Sequence, residues 1–477
     1  MSTTDTMKHT NVKIARCLLP AVLLLCVCLA AAALTACSDS GTPADSGTEA
    51  SAPAGVPTGI PTDPGTDDPT IPVTEPVTEP ETEPEPDTEA QGWHPETGVF
   101  NEGHVDYEPT FDDDGHIVSV KATSVDGTDL GLDITDKKDL VGICYSVWFD
   151  AILGHAEGKV DHWYNVEEAL AGTSAWGPPN AFHYWSKPAL GYYRSSDKEV
   201  IRTHMTQLYA AGVDFIIIDL TNAGDGYVAG DRKAWMDYIQ YPMDAICETI
   251  MTMRAEGLGT PYVVFWAGVS AGPLYQELYD RYILSDWSDC FVYWDGKPFL
   301  LTTHVFPQDF PLPDLFTVRR MLGLNGASTY GWSYLNPESK VTSYGPDGEA
   351  EQVGVCIAAQ RNYMSADAIG RRHGITFYTQ WYYAFMIRPK VVTVCWWNEW
   401  TAQRIPDGQG GFNFTDEYTQ EMSRDAEPME GGHGDAYYQY LVGYISAYKG
   451  GLDCPVLVEE GYEESAVTAC KRLFKLR

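Results

Sequence analysis

Between residues 140 and 450, short runs of β-branched and aromatic residues alternate with stretches of helical spacing. Residues 213–220 (VDFIIIDL) are apolar on both faces, as a strand buried inside a parallel sheet must be, and 140–149 (LVGICYSVWF) is of the same kind. Further strands are expected at 262–266, 290–294, 299–302, 328–332, 375–378 and 390–397. Helices are expected at 197–211, from Pro242 to about 257, and at 315–322, 355–364, 381–387 and 436–448. In the first of these helices Ser196 is the expected cap, Val200, Ile201, His204, Met205 and Leu208 line one face, and Gly212 ends it. Buried strands alternating with helices over this length predict an α/β fold, a (β/α)8 TIM-type barrel. A doubly wound sheet is the alternative, but no GxGxxG or Walker loop follows any strand to support nucleotide binding.

The N-terminal part reads differently. Lys8, Lys13 and Arg16 precede an apolar run at 18–34, and Leu34-Thr35-Ala36-Cys37 follows. A basic head, an apolar middle and small residues before the cut describe a secretory signal peptide. The last four residues resemble the lipobox of bacterial lipoproteins, which implies lipidation at Cys37, a membrane partner through that lipid, and a body facing outside the cytoplasm. An uncleaved membrane anchor is the other reading of the run. Residues 38–97 hold 14 acids, no Lys or Arg, and repeated Thr-Glu-Pro units. Such a segment buries too little apolar area to offset its ordering entropy, so a disordered, extended stalk is expected. Residues 98–139 suggest a small β extension packed on the barrel, and 451–477 a C-terminal tail.

Charge narrows the partners. The chain carries a formal net of −36, and residues 98–477 alone hold 28 basic against 52 acidic residues. A nucleic-acid partner is excluded, because phosphate neutralisation needs clustered cations. With 14 Trp, 29 Tyr and 16 Phe, an acidic, aromatic-rich body suits a glycan: aromatic faces stack on sugar rings and carboxylates bond to hydroxyls. Seven cysteines lie beyond residue 97, without a CxxC pair. They read as mostly buried thiols, with a Cys454–Cys470 disulfide as the one bridge considered; neither a metal nor a cofactor is expected. No GxSxG elbow supports a serine hydrolase.

In a barrel the reacting groups come from the carboxyl ends of the strands. Four places fit. Trp396-Trp397-Asn398-Glu399-Trp400 follows an apolar strand, and a carboxyl among tryptophans has the raised pKa of a general acid. Asp219 ends 213–220. Asp295 lies in Trp294-Asp295-Gly296, which a turn between strands explains equally well. The run 416–428 is acid-rich and contains Glu421 and Asp425; it is either a solvated loop or the rim of a cleft, and Arg424 either pairs with its neighbours or faces that cleft. His433 has too few partners at ligand spacing for a metal.

The stretches Leu190-Gly-Tyr-Tyr-Arg-Ser-Ser-Asp197, Val200-Ile201 with His204-Met205, and Ala211 to Asp219 resemble the glycoside hydrolase family 99-like barrels. So do Val141-Gly142 leading to Tyr145 and Trp148, and the late Trp397-Asn-Glu-Trp400. This family includes endo-α-mannosidases and family 71/99-like proteins of bacterial surfaces, and the similarity spans about 140–450. It implies a (β/α)8 hydrolase acting on glycans. In the endo-α-mannosidases two glutamates stand in an Asn-Glu-Trp-x-Glu pattern; Glu399 takes the first place and Ala402 the second. The family's neighbouring-group mechanism, in which the substrate's 2-hydroxyl attacks its own anomeric carbon, therefore does not carry over. Glu399 is the expected general acid or acid/base, with Asp219, Glu421 or Asp425 as second carboxylate at the spacing of about 5–9.5 Å that glycoside hydrolysis uses. Trp148, Trp266, Trp332, Trp397 and Trp400 are the expected stacking platforms, with Tyr145, Asp295 and Asn398 as further substrate contacts. Two other functions stay open: a glycan-binding surface lipoprotein without catalysis, and a part in building surface polysaccharide. Oligomeric state is not legible.

Overall fold

The computed structural model describes residues 105–111 and 117–124 (as backbone), 131–153, 163–221, 235–268, 272–303, 310–322, 331–335, 340–359, 368–415 and 417–476. The expected signal peptide, Cys37 and the linker lie outside them.

Two strands, β1 (Val105–Phe111) and β2 (Ile117–Ser124), form an antiparallel pair, with β2 alongside α3 (Lys198–Ala210). A two-residue strand, β3 (Leu132–Asp133), then leads to the main sheet. Eight parallel strands make up that sheet: β4 (Leu140–Ser146), β6 (Phe215–Leu220), β7 (Tyr262–Ala267), β9 (Lys297–Thr302), β10 (Thr317–Leu322), β11 (Gly331–Ser333), β13 (Ala350–Cys356) and β14 (Val391–Cys395). Backbone ladders join them in the order β11-β10-β9-β7-β6-β4-β14-β13. At the two ends of this line β11 meets β13 through side chains. Gln352 accepts from the Ser333 N–H (3.0 Å) and donates to the Ser333 carbonyl (2.8 Å). Gly354 permits the approach: a Cβ there would meet Ser333 Oγ at 2.9 Å and the Tyr334 carbonyl at 3.1 Å.

The strands are buried on both faces, so period two decides where each side chain goes. Val141, Ile143, Ile216, Ile218, Val263, Phe265, Val392 and Val394 face the helices. Cys144, Phe215, Ile217, Val264, Trp266, Cys356 and Cys395 face inward, with Trp294, Phe299 and Trp332. The outer layer includes α3, α4 (Tyr241–Ala255), α6 (Ile375–Ile387) and α7 (Ala436–Lys449). Asp197, rather than Ser196, caps α3 by accepting from the Glu199 N–H at 3.0 Å; Ser196 bonds to Asp150 instead. Residues 451–477, expected as a tail, contain a helix, Glu463–Phe474, whose Phe474 ring lies over Tyr382 and Tyr383 of α6.

Three expected elements are different. Residues 317–322, expected within a helix, are a strand, and Arg319 is buried there in a two-pronged pair with Glu351 (2.7 and 2.8 Å). Residues 350–356 are likewise a strand whose polar start, Glu351-Gln352, is satisfied by Arg319 and Ser333. Residues 375–378, expected as a strand, open α6, which is buried on nearly every face and so shows no helical stripe. Among the described residues no helix is long and apolar enough to cross a membrane, and the seven cysteines are free thiols.

A three-stranded antiparallel sheet follows the end of β14: β5 (Phe182–Tyr184), β15 (Thr401–Pro406) and β16 (Phe412–Phe414). Ala402 of β15 is fully buried opposite His183.

Candidate active site

Beyond Cys395 the chain crosses the carboxyl end of the sheet as Trp396–Trp400. Asn398 ties this segment to the end of β4: its Oδ1 accepts from the Ser146 N–H (2.8 Å) and its Nδ2 donates to the Ser146 carbonyl (3.2 Å). A second segment is laid along it. The Trp396 N–H donates to the Arg424 carbonyl (3.0 Å), and the Ala426 and Glu427 N–H groups donate to the Trp396 (3.1 Å) and Trp397 (2.9 Å) carbonyls. Ser-Arg-Asp-Ala-Glu therefore delivers three charged side chains to three places. Arg424 donates to Glu399 Oε2 at 2.6 Å and also pairs with Glu417. Asp425 accepts from Trp185 Nε1 at 2.7 Å. Glu427 accepts from Tyr193 (2.6 Å) and from Trp400 Nε1 (2.5 Å), and meets His204 Nε2 at 2.9 Å.

Asp219 ends β6 on its inward face, in register with Ser146 and Trp266. Its Oδ1 accepts from the Thr221 N–H at 2.8 Å, and its own carbonyl accepts from Trp148 Nε1 at 3.1 Å. Burial lifts its pKa to about 7 against the Thr221 bond, and the charge of Glu399 adds to the rise. Burial lifts the pKa of Glu399 to about 7 as well, against the guanidinium of Arg424, which opposes the rise through both charge and hydrogen bond. Burial alone would lower Arg424; Glu399 and its neighbours reverse this and keep it charged. Asp425 is lifted to about 7 by burial, opposed by Arg371 and Trp185, and it senses Glu399 too. Burial pushes up the Cys144 thiol and the Tyr334 phenol, with Glu399 contributing to both and Asp219 to Cys144. Asp219, Glu399, Arg424, Tyr334 and Cys144 thus form one electrostatic neighbourhood at the carboxyl end of the strands. Trp266, Tyr334 and Trp396 pack together in it, with ring centroids 4.8–6.2 Å apart.

The expected site residues divide. Asp219, Glu399, Asn398, Trp148 and Trp266 come together here. Glu421 does not: it is exposed and accepts from the Arg372 N–H at 2.9 Å. Glu417, from the same run, takes the place beside Arg424. Asp295 sits in the turn before β9, at the opposite end of the strands, on a cleft of about 280 Å³ lined also by Trp294, Arg319 and Lys390. Trp332 is buried, and its indole donates to Glu351 at 2.6 Å near the start of β13. Tyr145 and Trp397 face the helices. The Tyr145 hydroxyl meets His204 Nδ1 at 2.8 Å, and the Trp397 ring packs on His204 and Tyr438. Trp400 stacks on Trp185 (5.0 Å) with no face free. Trp332, Trp397, Trp400 and Tyr145 are therefore packing or network residues rather than sugar platforms.

Sequence reasoning missed Glu417, Glu427, Tyr334 and Trp396. Counting by two from inward Cys395 would not have found Trp396, because the alternation breaks where the strand ends. Among the described residues no group of three His, Cys, Asp or Glu is placed to hold a metal.

No family model matches the sequence, and no curated protein matches it. Among solved structures, the chain is similar to a GH99 endo-alpha-mannosidase from Bacteroides thetaiotaomicron. That match has 14% identity and a TM-score of 0.43, and covers 66% of this chain and 99% of that one. A structure of such an enzyme in complex with Bis-Tris propane matches at 12% identity and a TM-score of 0.41, covering 66% and 98%. A glycoside hydrolase-like protein matches at 12% and 0.39, covering 67% and 97%. The likeness is one of chain path, and the chemistry of the site rests on the residues above.

Proposed function

We propose that the chain is a glycoside hydrolase acting on an oligo- or polysaccharide, built on a (β/α)8 barrel that closes through the β11–β13 seam. In this proposal residues 1–37 export it, lipid on Cys37 holds it at the membrane facing outward, 38–97 form a stalk, and 98–139 and 451–477 flank the barrel at 140–450. The observation that carries the activity is the pair Asp219 and Glu399. Both carboxyls are withdrawn from solvent and lifted to about 7 by burial, and Asp219 senses the charge of Glu399. Asp219 has no cation among the groups that set its pKa, so it keeps its proton to about neutral pH. Glu399 alone of the two has a cation beside it: Arg424, at 2.6 Å, works against the rise and supplies a partner for the anion.

This reverses the role first expected for Glu399. Asp219 gives its proton to the glycosidic oxygen as the C–O bond to the anomeric carbon breaks. The Glu399 carboxylate either forms the new bond to that carbon or takes a proton from the water that does. Arg424 favours the ionised form of Glu399 against the effect of burial, and Asn398 fixes the segment that carries it.

The full chain in detergent, incubated with a panel of α- and β-linked glycans, should release new reducing ends. Glu399→Gln should lower that rate about 10³-fold, the scale of a lost acid–base group. Hydrolysis by Glu399→Gln at the wild-type rate would overturn the assignment. A glycan-binding protein without catalysis is the second reading, favoured by Ala402: that position, where the resemblance calls for a second glutamate, is buried and paired with His183 of β5. Retained binding with no cleavage of any glycan would select it.

A further inference from the structure

The sheet β5-β15-β16 carries a row of rings. Trp176 and Phe412 are each 37% exposed and Tyr418 is 41% exposed, whereas most large aromatic side chains of the body are buried. The rings touch in sequence: Trp176 lies 5.5 Å from Phe414, and Phe414 lies 6.2 Å from Tyr418. His183 backs the row, 5.6 Å from Trp176 and 5.4 Å from Phe414. Arg404 lies flat over Phe412 at 3.3 Å and near Trp176 at 5.5 Å, with its Nη1 donating to the Gly177 carbonyl at 2.8 Å. Two chain neighbours of these residues, Glu417 beside Tyr418 and Phe182 beside His183, lead to the carboxyl pair. Tyr418 follows Glu417, which shares Arg424 with Glu399. Phe182 of β5 packs on Trp148 (6.0 Å), whose indole bonds to the Asp219 carbonyl.

We infer that this row is a binding surface for an uncharged polysaccharide, holding the part of the chain that extends beyond the bond at Asp219 and Glu399. The inference rests on the hydrolase reading for its direction but not for its test. Three features select the occupant. Exposed rings are held in place from behind and lie in line, which suits the C–H faces of successive sugars. The partly exposed Arg404, on the same face as Phe412 and Phe414, stands among the rings where hydroxyl edges would fall. The net charge of −36 repels a polyanion. A protein partner needs a contiguous apolar patch, and here the Arg404 guanidinium interrupts the rings.

The test is retardation of the full chain in native gels containing soluble α-mannan, mixed-linkage β-glucan or xylan, carried out in the Glu399→Gln background so that the probe stays intact. The parent should be retarded by at least one polymer. Trp176→Ala and Tyr418→Ala should each raise the apparent Kd about tenfold, the scale of a lost ring contact. Trp176→Phe, which keeps a ring, should raise it less than about threefold, and this variant carries the test if Trp176→Ala melts early. Equal retardation of parent and alanine variants would overturn the inference. So would a parent that binds none of the polymers, or binding that appears only when residues 38–97 are removed, since the Pro-rich stalk would then be the occupant. The hydrolase reading fails separately, through the rate of Glu399→Gln; polymer retardation that depends on Trp176 and Tyr418 would survive that failure.

Discussion

Asp219 shares the inward face of β6 with Phe215 and Ile217, and burial there lifts its pKa to about 7 from an unfolded value near 3.9. Between these two values the unfolded chain has released the proton and the folded chain still holds it. Folding stability therefore falls as pH rises from about 4 to 7, and the full penalty remains above 7. Asparagine carries no charge in either state and can still accept from the Thr221 N–H. Asp219→Asn should match the wild type near pH 3.5 and exceed it by about 2–4 kcal/mol at pH 8, while losing most hydrolysis. Urea titrations of the two proteins across this range check it, and a difference that does not change with pH would remove the raised pKa. The buried Glu427–His204–Tyr145 chain is a second residue-scale feature. An ionised Glu427 can only accept, so His204 Nε2 donates to it, and a neutral ring then accepts from Tyr145 at Nδ1. Only Tyr145 of this chain figured in the sequence reading as a site residue, and as a substrate contact. Its parity, one residue after inward Cys144, already pointed it at the helices.

Between β11 and β13 side chains do what a backbone ladder does elsewhere in the sheet: Gln352 above all, with Ser333 Oγ accepting from the Gly354 N–H at 3.2 Å. Besides its two bonds to the Ser333 backbone, Gln352 donates to Thr393 Oγ1 (2.6 Å) and accepts from Ser343 Oγ (3.0 Å). Alanine at 352 leaves a buried N–H and a buried carbonyl without partners, at roughly 1–3 kcal/mol each. Gln352→Ala should thus lose about 3 kcal/mol in denaturant unfolding; a loss under about 0.5 kcal/mol would show that the seam does not depend on it. The same strands show what was legible. Where a strand is a continuous apolar run, as in β4, β6, β7 and β14, its sequence announces it, and Asp219 and Glu399 could be placed at strand ends on that basis alone. Where a strand buries charge or amide, as β10 does at Arg319 and β13 at Glu351-Gln352, its partner is far away in sequence and the local pattern points elsewhere. The candidate site followed the same rule: Asp219 and Glu399, attached to legible strands, come together, whereas in the 416–428 segment it is Glu417 that lies beside Arg424 and Glu421 that stays outside.

At the scale of the whole chain, the proposed glycan hydrolase, with its negative body, has to be held near its substrate by something other than charge. Residues 38–97 add 14 negative charges and no positive ones, so self-repulsion favours extension and reach. The proposed attachment through the apolar run at 18–34 and Cys37 can take two forms, a cleaved leader with lipid on the cysteine or an uncleaved span. Each acyl methylene contributes about 0.8 kcal/mol of membrane affinity, and more than one chain is needed for stable anchoring. The lipid form predicts that the full chain expressed in a bacterial host incorporates labelled palmitate and partitions into the detergent phase of a Triton X-114 separation. Cys37→Ser should abolish the label. A mutant chain whose leader is still removed should move to the aqueous phase, and one whose leader stays on should run larger by the mass of 36 residues. Absence of label in the wild type, with both proteins equally membrane-bound and of equal size, would mean that the run at 18–34 is itself the anchor and that Cys37 takes no part.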